Sequence, residues 1–228
     1  MALIASIETS TSVCSVALHD DGKLISVVEV HQEFSHASKL GLLVDQVLNL
    51  ADLKIEEIRA VAVSSGPGSY TGLRIGTSLA KGLCYARNIP LIAVPTLHIL
   101  TAKVSHINFS DSFLCPMIDA RRMEVYCQVM DFNLNEIEPV KPIIIDEKSF
   151  EKYLSIKPVI FFGNGSMKCR DVLNQSNAKF LSDIHPSAVQ LGSLAFEKFR
   201  RHETEDVDLF VPYYLKEFYT KQSLEKVN

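Results

Sequence analysis

Residues 60–86 read AVAVSSGPGSYTGLRIGTSLAKGLCYA, and this stretch carries the clearest structural signal in the chain. Residues 60–64 are a short apolar run that predicts a buried strand, and residues 71–86 predict a helix. The loop between them, residues 66–72, combines three glycines with a proline, a composition typical of a tight turn. A strand, a glycine loop and a helix in this order indicate an α/β fold.

The same order of elements occurs twice along the chain. In the first half, strands are predicted at residues 3–7, 13–19, 24–30, 60–64 and 90–94, and helices at 36–51, 71–86 and 96–104. In the second half, strands are predicted at residues 113–118, 125–131, 142–145 and 159–162, and helices at 147–154, 167–173 and 186–201. We therefore predict a two-lobed, duplicated α/β fold with mixed sheets. The lobes are residues 1–104 and 105–204, and the tail 205–228 packs back on the first lobe.

Composition and charge narrow the classes of function. The 228 residues are 47% hydrophobic and 22% charged, which is typical of a globular chain with a sizeable core. The net charge of −4 disfavours direct nucleic-acid binding, so we expect any role with RNA or DNA to be indirect. Five cysteines without a CxxC motif indicate reduced thiols, and no apolar run reaches the ~18 residues of a membrane helix. We expect a cytoplasmic protein that does not associate with membranes.

The helix predicted at residues 71–86 carries small residues at every fourth position. Gly72, Gly76 and Ala80 form a flat strip along one side of this helix. A glycine inside a helix costs about 1 kcal/mol relative to alanine, so two of them need a reason. Small residues at this spacing allow two backbones to approach closely. The partner of the strip is either another helix of this chain or a helix of another chain.

The helix predicted at residues 36–51 has an unusually wide apolar face, and Leu42 lies outside that face among polar residues. This is more apolar surface than one face of a sheet covers, which favours an interface with another chain. The predicted interface residues are His36, Leu40, Leu43, Val44, Val47, Gly72, Gly76 and Ala80.

Two acidic residues occupy matching positions after the first strand of each half. Glu8 follows the strand at residues 3–7, and Asp119 follows the strand at residues 113–118. Carboxylates at the strand ends of an α/β fold are suited to magnesium binding or water activation. The alternative is that they are capping and turn residues with local ion pairs. Two lobes packed side by side leave a cleft between them, and the candidate residues for binding a ligand there are Glu8, Ser10, Thr11, Asp119, Arg121 and Gly163.

Motifs of several enzyme classes are missing from the sequence. The loop at residues 66–72 lacks the Lys-Ser/Thr pair of a Walker loop, so a tight turn is favoured over a phosphate cradle. No HxxxH or HExxH motif offers two imidazoles to a metal, and no Gly-x-Ser-x-Gly elbow presents a nucleophile. These absences give no catalytic residue and no histidine metal site, so Glu8 and Asp119 are the only candidates for chemistry in the sequence.

Several blocks of the sequence resemble one known family. They are IETS (7–10), CSVAL (14–18), SGPGSYTGLRIG (65–76), DARRMEVY (119–126) and PYYL (212–215). The blocks occur in the right order over almost the whole chain, and the glycine-containing block is highly specific. Together they are similar to the TsaB (YeaZ) family.

The resemblance implies a ribonuclease-H-like fold of the actin/sugar-kinase/Hsp70 superfamily. It also implies a part in making the threonylcarbamoyladenosine modification of tRNAs that read codons beginning with A. Family members act there as the non-catalytic partner of the metal-containing TsaD subunit, and a small P-loop ATPase, TsaE, joins the complex. The family interface uses the first two helices of the N-terminal lobe, which match residues 36–51 and 71–86 here. The same surface forms homodimers when TsaD is absent.

One departure from the family bears on a nucleotide site in the cleft. The family usually has aspartate where this chain has Glu8. We therefore expect no cofactor, with weak or interface-dependent nucleotide binding left open. The leading hypothesis is a scaffold or activator subunit. The alternatives are an autonomous ATP-dependent enzyme that uses Glu8 and Asp119, and a peptidase, which is a label attached to relatives.

Overall fold

The computed structural model describes residues 2–32, 36–105, 107 and 111–215. Its framework is a pair of five-stranded mixed sheets with helices packed on them. Residues 216–228, the end of the predicted tail, lie outside the described part of the chain.

The first sheet has the strand order β3-β2-β1-β4-β5. Its strands are β1 (Leu3–Glu8), β2 (Val13–Asp20), β3 (Lys23–His31), β4 (Ala60–Ser64) and β5 (Leu91–Val94). Strand β1 pairs antiparallel with β2 and parallel with β4. The strands β1, β4 and β5 are fully buried, which explains why they are continuous apolar runs without alternation.

The second sheet repeats this arrangement, with the strand order β8-β7-β6-β9-β10. Its strands are β6 (Phe113–Asp119), β7 (Glu124–Met130), β8 (Glu136–Ile144), β9 (Val159–Phe162) and β10 (Ala178–Leu181). As in the first sheet, the first strand pairs antiparallel with the second and parallel with the fourth. The predicted duplication of a mixed-sheet α/β unit is therefore confirmed.

The described residues form five helices that pack on the sheets: α1 (His36–Leu50), α2 (Tyr70–Arg87), α3 (Thr96–Val104), α4 (Glu151–Leu154) and α5 (Ala188–Arg200). Helices α1 and α2 pack on one face of the first sheet, where Leu43 and Ala80 join the core of β1 and β4. Helix α5 packs on the opposite face of the same sheet. The first sheet is therefore the middle layer of an α/β/α sandwich.

Two helices are exchanged between the halves of the sequence. Helix α5 lies in the predicted second lobe, residues 105–204, yet its Leu191 and Ala195 pack on Ile4 and Ala62 of the first sheet. Helix α3 comes from the first half, and its Leu100 packs with residues of the second sheet. The lobes in the structure therefore do not separate at the predicted boundary between residues 104 and 105. Each sheet has one face that the helices of its own half leave uncovered, and a helix from the other half covers it.

Some second-half elements differ from the sequence prediction. Strand β8 is longer than predicted, because it lies at the sheet edge and there tolerates Pro139 and Pro142. The helix predicted at residues 147–154 is reduced to α4, and the one at 167–173 is a short 3-10 turn, Met167–Cys169. The short strand β10 was not predicted, because its four residues show no recognisable hydrophobic periodicity.

The segment from residue 205 to residue 214 lies against the first lobe. The Glu205 amide donates to the Leu91 carbonyl at 2.8 Å, and the Tyr213 amide donates to the Ser65 carbonyl at 2.7 Å. Between them, the Lys81 ammonium donates to the carbonyl of Phe210 at 3.0 Å. These bonds fix the segment alongside α2. Within the described ranges, no helix is both long and apolar enough to cross a membrane.

Candidate functional site

The turn after β1 contains a carboxyl group that is removed from solvent. Glu8 is fully buried, and its Oε1 accepts a hydrogen bond from the Ser10 amide at 2.6 Å. Burial raises the pKa of Glu8 from 4.5 to about 7, although the hydrogen bond from Ser10 opposes the shift. Within the described residues, its Oε2 has no hydrogen-bond partner. Glu8 therefore holds its proton up to near-neutral pH.

The glycine loop after β4 closes over this turn. The Ser69 amide donates to the Ser10 carbonyl at 2.7 Å. A Cβ atom at Gly68 would lie 2.8 Å from the Ser10 Cβ, so only glycine permits this approach. Thr11 is buried beside it and accepts a hydrogen bond from the Val13 amide at 3.3 Å. The loop is thus packed against the turn, in agreement with the predicted tight turn rather than the phosphate cradle.

The matching turn after β6 is more exposed, and hydrogen bonds and an ion pair hold its carboxyl group in place. Asp119 accepts a hydrogen bond from the Arg121 amide at 2.7 Å and forms an ion pair with the Lys168 ammonium. Its own amide donates to the Asn164 side chain at 3.0 Å. Gly163, with φ of +100°, lets the loop after β9 approach the Met117 carbonyl, where a side chain would overlap it. Asp119 is therefore held by its neighbours.

The two lobes thus share one arrangement, in which a glycine loop packs against the turn that follows the first strand. The structure places Glu8, Ser10 and Thr11 in one cluster and Asp119, Arg121 and Gly163 in the other. The partners described for Glu8 belong to the first lobe, and those for Asp119 belong to the second. This geometry favours the alternative of turn residues with local ion pairs over a shared metal site.

The small-residue strip on α2 lies inside the chain. Thr9 Oγ1 donates to the Gly72 carbonyl at 2.8 Å, and a Cβ atom at Gly76 would overlap that hydroxyl. Ala80 is fully buried in the core formed with β1 and β4. The prediction that Gly72, Gly76 and Ala80 face another chain is therefore wrong. Their small size lets α2 lie close to the end of β1.

The predicted apolar contacts of α1 are also internal. Leu40, Leu43, Val44 and Val47 are each at most 4% exposed and belong to the core under the helix. They cover the first sheet, so the prediction that they form an interface with another chain is wrong. His36 begins α1, and its side chain lies outside the described part of the structure.

What α1 and α2 leave exposed is a second set of residues, which we call the outer face. Its large apolar members are Leu42 (61% exposed), Leu50 (70%) and Tyr85 (78%). Gly41 on α1 and Gly82 on α2 are exposed, and a Cβ atom on either would meet nothing within 4 Å. Ser78, Gly82 and Ala86 repeat every fourth residue, so the sequence contains a second strip of small residues on the same helix, in addition to Gly72, Gly76 and Ala80.

Duplicated five-stranded sheets, glycine loops packed on both first-strand turns and helices exchanged between the halves give the chain the two-lobed, duplicated α/β fold predicted from its sequence. Solved structures agree. The component A of (R)-2-hydroxyglutaryl-CoA dehydratase from Acidaminococcus fermentans aligns with a TM-score of 0.52 at 9% identity, over 87% of this chain and 99% of that one. At this identity the likeness concerns the fold alone.

The comparisons with known sequences are more specific. A family model described as "TsaD: tRNA N6-adenosine threonylcarbamoyltransferase" matches residues 29–223. The tRNA threonylcarbamoyladenosine biosynthesis protein TsaB of Bacillus subtilis (strain 168) is 31% identical, over 93% of each chain. The TsaB of Escherichia coli (strain K12) is 32% identical, over 93% of this chain and 94% of that one.

A Pseudomonas aeruginosa protein, described as uncharacterized with similarity to peptidase YEAZ, superposes with a TM-score of 0.83. It is 25% identical and covers 95% of this chain and all of that one. The chain belongs to the TsaB family, and the resemblance identified from its sequence blocks is confirmed.

Proposed function

We propose that this chain is a non-catalytic subunit of the machinery that makes threonylcarbamoyladenosine in tRNA, and that it docks on a TsaD-type transferase. The observation that carries the proposal is the outer face of α1 and α2. Leu42, Leu50 and Tyr85 expose large apolar groups there, and Gly41 and Gly82 leave both helix backbones open to close approach. Such a surface suits two further helices packed against it.

The state of the two cleft carboxyls supports a role without chemistry of its own. Glu8 is buried with a pKa of about 7, and the loop containing Gly68 covers the turn beside it. Asp119 is paired with Lys168. Neither is placed as a free carboxylate in an open cleft, so we propose that the chain needs no cofactor, and that any nucleotide binds weakly or only in the assembled complex.

The proposal extends to the other partners. A TsaE-type P-loop ATPase joins the complex, and in the absence of the transferase two copies of this chain pair through the same outer face. The chain has a net charge of −4, so most of the binding energy for tRNA comes from the transferase. The complex works in the cytoplasm.

Gly82→Leu tests the docking surface. The added side chain meets open space in the isolated subunit, and leucine is a better helix former than glycine, so the fold should be kept. We expect the variant to remain folded but to lose co-purification with the transferase and self-association on size-exclusion chromatography. Asn177→Ala, which removes a side chain that bonds the Leu154 carbonyl in the second lobe, is the control and should assemble normally.

Two results would contradict the proposal. The first is a Gly82→Leu variant that assembles as well as the unaltered chain. The second concerns the alternative of an autonomous ATP-dependent enzyme: calorimetry with ATP and magnesium that shows tight binding, together with turnover by the isolated chain, would establish that alternative instead.

A further inference from the structure

The turn between β6 and β7 contains two consecutive arginines in an unfavourable backbone conformation. Arg121 has φ of 69° and Arg122 has φ of 46°, both in the left-handed region. Hairpin turns that need positive φ at two neighbouring positions usually contain Asn-Gly, because other side chains are strained there. Two arginines at these positions indicate that their side chains serve a purpose that Asn-Gly would not.

The surrounding structure holds this turn in place. The Lys168 ammonium donates to the carbonyls of Arg122 and Glu124, at 2.8 and 2.7 Å, and also pairs with Asp119. The Ala120 amide donates to the Glu124 carbonyl at 3.1 Å. The half-buried Lys168 thus donates to two carbonyls of the turn backbone and to the Asp119 carboxylate. The two arginines are therefore displayed from a rigid support.

The charge of the two arginines is left for another molecule. Both residues are exposed. In the part of the chain that the structure describes, neither guanidinium is in an ion pair, since the nearby Asp119 is occupied by Lys168. A pair of adjacent, uncompensated guanidinium groups is suited to phosphate, which arginine binds through two parallel hydrogen bonds.

We propose that the turn at residues 120–123 contacts the phosphate backbone of tRNA through Arg121 and Arg122. The inference rests on the proposed function, which brings a tRNA to the assembled complex. An acidic chain does not bind RNA by overall attraction, so a local pair of fixed arginines gives one defined contact that positions the RNA while the transferase supplies most of the affinity. The contact is direct, in contrast to the indirect one that the net charge predicts.

The test measures tRNA binding by the reconstituted complex of this chain with its transferase, over a series of salt concentrations. Replacing both arginines by glutamine (R121Q/R122Q) should weaken tRNA binding about tenfold and lower the slope of log affinity against log salt by about 2. The R121K/R122K variant keeps both charges and should keep most of that slope. R200Q/R201Q removes the same number of charges from the end of α5 and should change neither quantity.

A fourth variant separates the strain from the charge. R121N/R122G places the favoured turn sequence at the two left-handed positions, so it should melt at a higher temperature than the unaltered chain. The same variant should lose tRNA binding to the same extent as R121Q/R122Q. A gain in melting temperature with no loss of tRNA binding would overturn the inference.

Three other results would also overturn it. One is unchanged tRNA affinity and salt slope in R121Q/R122Q. Another is loss of co-purification with the transferase in that variant, which would place the turn in a protein interface. The last is a loss of ATP binding with tRNA binding intact, which would assign the arginines to a nucleotide. If the unaltered chain itself fails to assemble with the transferase, the proposed function fails, and that result is distinct from the others.

Discussion

At the scale of single residues, Glu8 is a carboxyl group that the fold keeps away from water. Its side chain accepts one amide hydrogen bond, from Ser10, while its second oxygen has no partner within the described residues. Burying a charged carboxylate with so little compensation is costly, so the group stays protonated instead. The sequence predicted a carboxylate at a strand end correctly, but it could not show that a glycine loop would cover it.

The titration of Glu8 predicts how stability depends on pH. Between about pH 4.5 and 7 the folded chain keeps a proton on Glu8 that the unfolded chain has lost, so this group makes stability fall as pH rises through that range. Glu8→Gln removes this titration. The free energy of unfolding of the variant, minus that of the unaltered chain, should therefore be about 3 kcal/mol larger at pH 8 than at pH 4.5, as measured by urea unfolding at both pH values.

The histidines act in the opposite direction, because burial lowers the pKa of His19, His98 and His185. They make stability fall as pH drops below about 6.5. Both chains contain these histidines, so subtracting the pH profile of the unaltered chain from that of Glu8→Gln removes their contribution. Glu56→Gln, the same substitution at an exposed position, is the control for the loss of one carboxyl group. A Glu8→Gln profile parallel to that of the unaltered chain would contradict the pKa assigned to Glu8.

Gly192 is the residue that allows α5 to lie on the first sheet. A Cβ atom there would overlap the imidazole of His19, which is buried and donates through Nε2 to the Val189 carbonyl at 3.0 Å. Gly192→Ala should therefore destabilise the chain by about 1–3 kcal/mol in urea unfolding, despite the better helix propensity of alanine. Gly41→Ala, at an open helix position, should instead stabilise it by about 0.5–1 kcal/mol. Equal effects of the two changes would be evidence against this packing.

At the scale of elements, α2 carries two strips of small residues with different partners. Gly72, Gly76 and Ala80 face β1, and Ser78, Gly82 and Ala86 lie on the outer face. The four-residue spacing is the same in both strips, so the sequence predicted the close approaches but not which strip faces inward. That choice depends on Thr9, whose side chain occupies the space next to Gly76.

Gly76→Leu therefore tests the inward strip. The leucine would be forced into Thr9 and the side chain of Ile7, so we expect a loss of about 1–3 kcal/mol and a lower melting temperature. The same substitution at Gly82 is the matched control on the same helix and should not lower stability. Thermal unfolding of the two variants measures the difference, and a stable Gly76→Leu chain would show that the strip is not packed as described.

At the scale of the whole molecule, the lobes depend on each other because they exchange helices. The first sheet is covered on one face by α5, whose Leu191 and Ala195 complete a core with Ile4 and Ile92. The second sheet is packed by α3, which comes from the first half of the sequence. A cut at residue 104 therefore separates each sheet from one of its helices.

The fragment of residues 1–104 should not fold alone, since the face that α5 covers would be exposed to water. We expect no cooperative transition when this fragment is titrated with urea, whereas the full chain should show one. Adding residues 186–215 as a separate peptide should restore a transition. A fragment with sharp, native-like unfolding in the absence of that peptide would contradict the exchange of helices.

The sequence by itself determined most of the elements and their duplication, because hydrophobic periodicity and glycine turns act over short distances along the chain. It also determined the family, since blocks such as residues 65–76 and 119–126 keep their order. Only the tertiary structure decided that α5 returns to the first sheet, that Glu8 is buried, and that Gly72, Gly76 and Ala80 point inward. Each of these depends on contacts between residues far apart in the chain, such as Thr9 with Gly76 and His19 with Gly192, which local patterns do not encode.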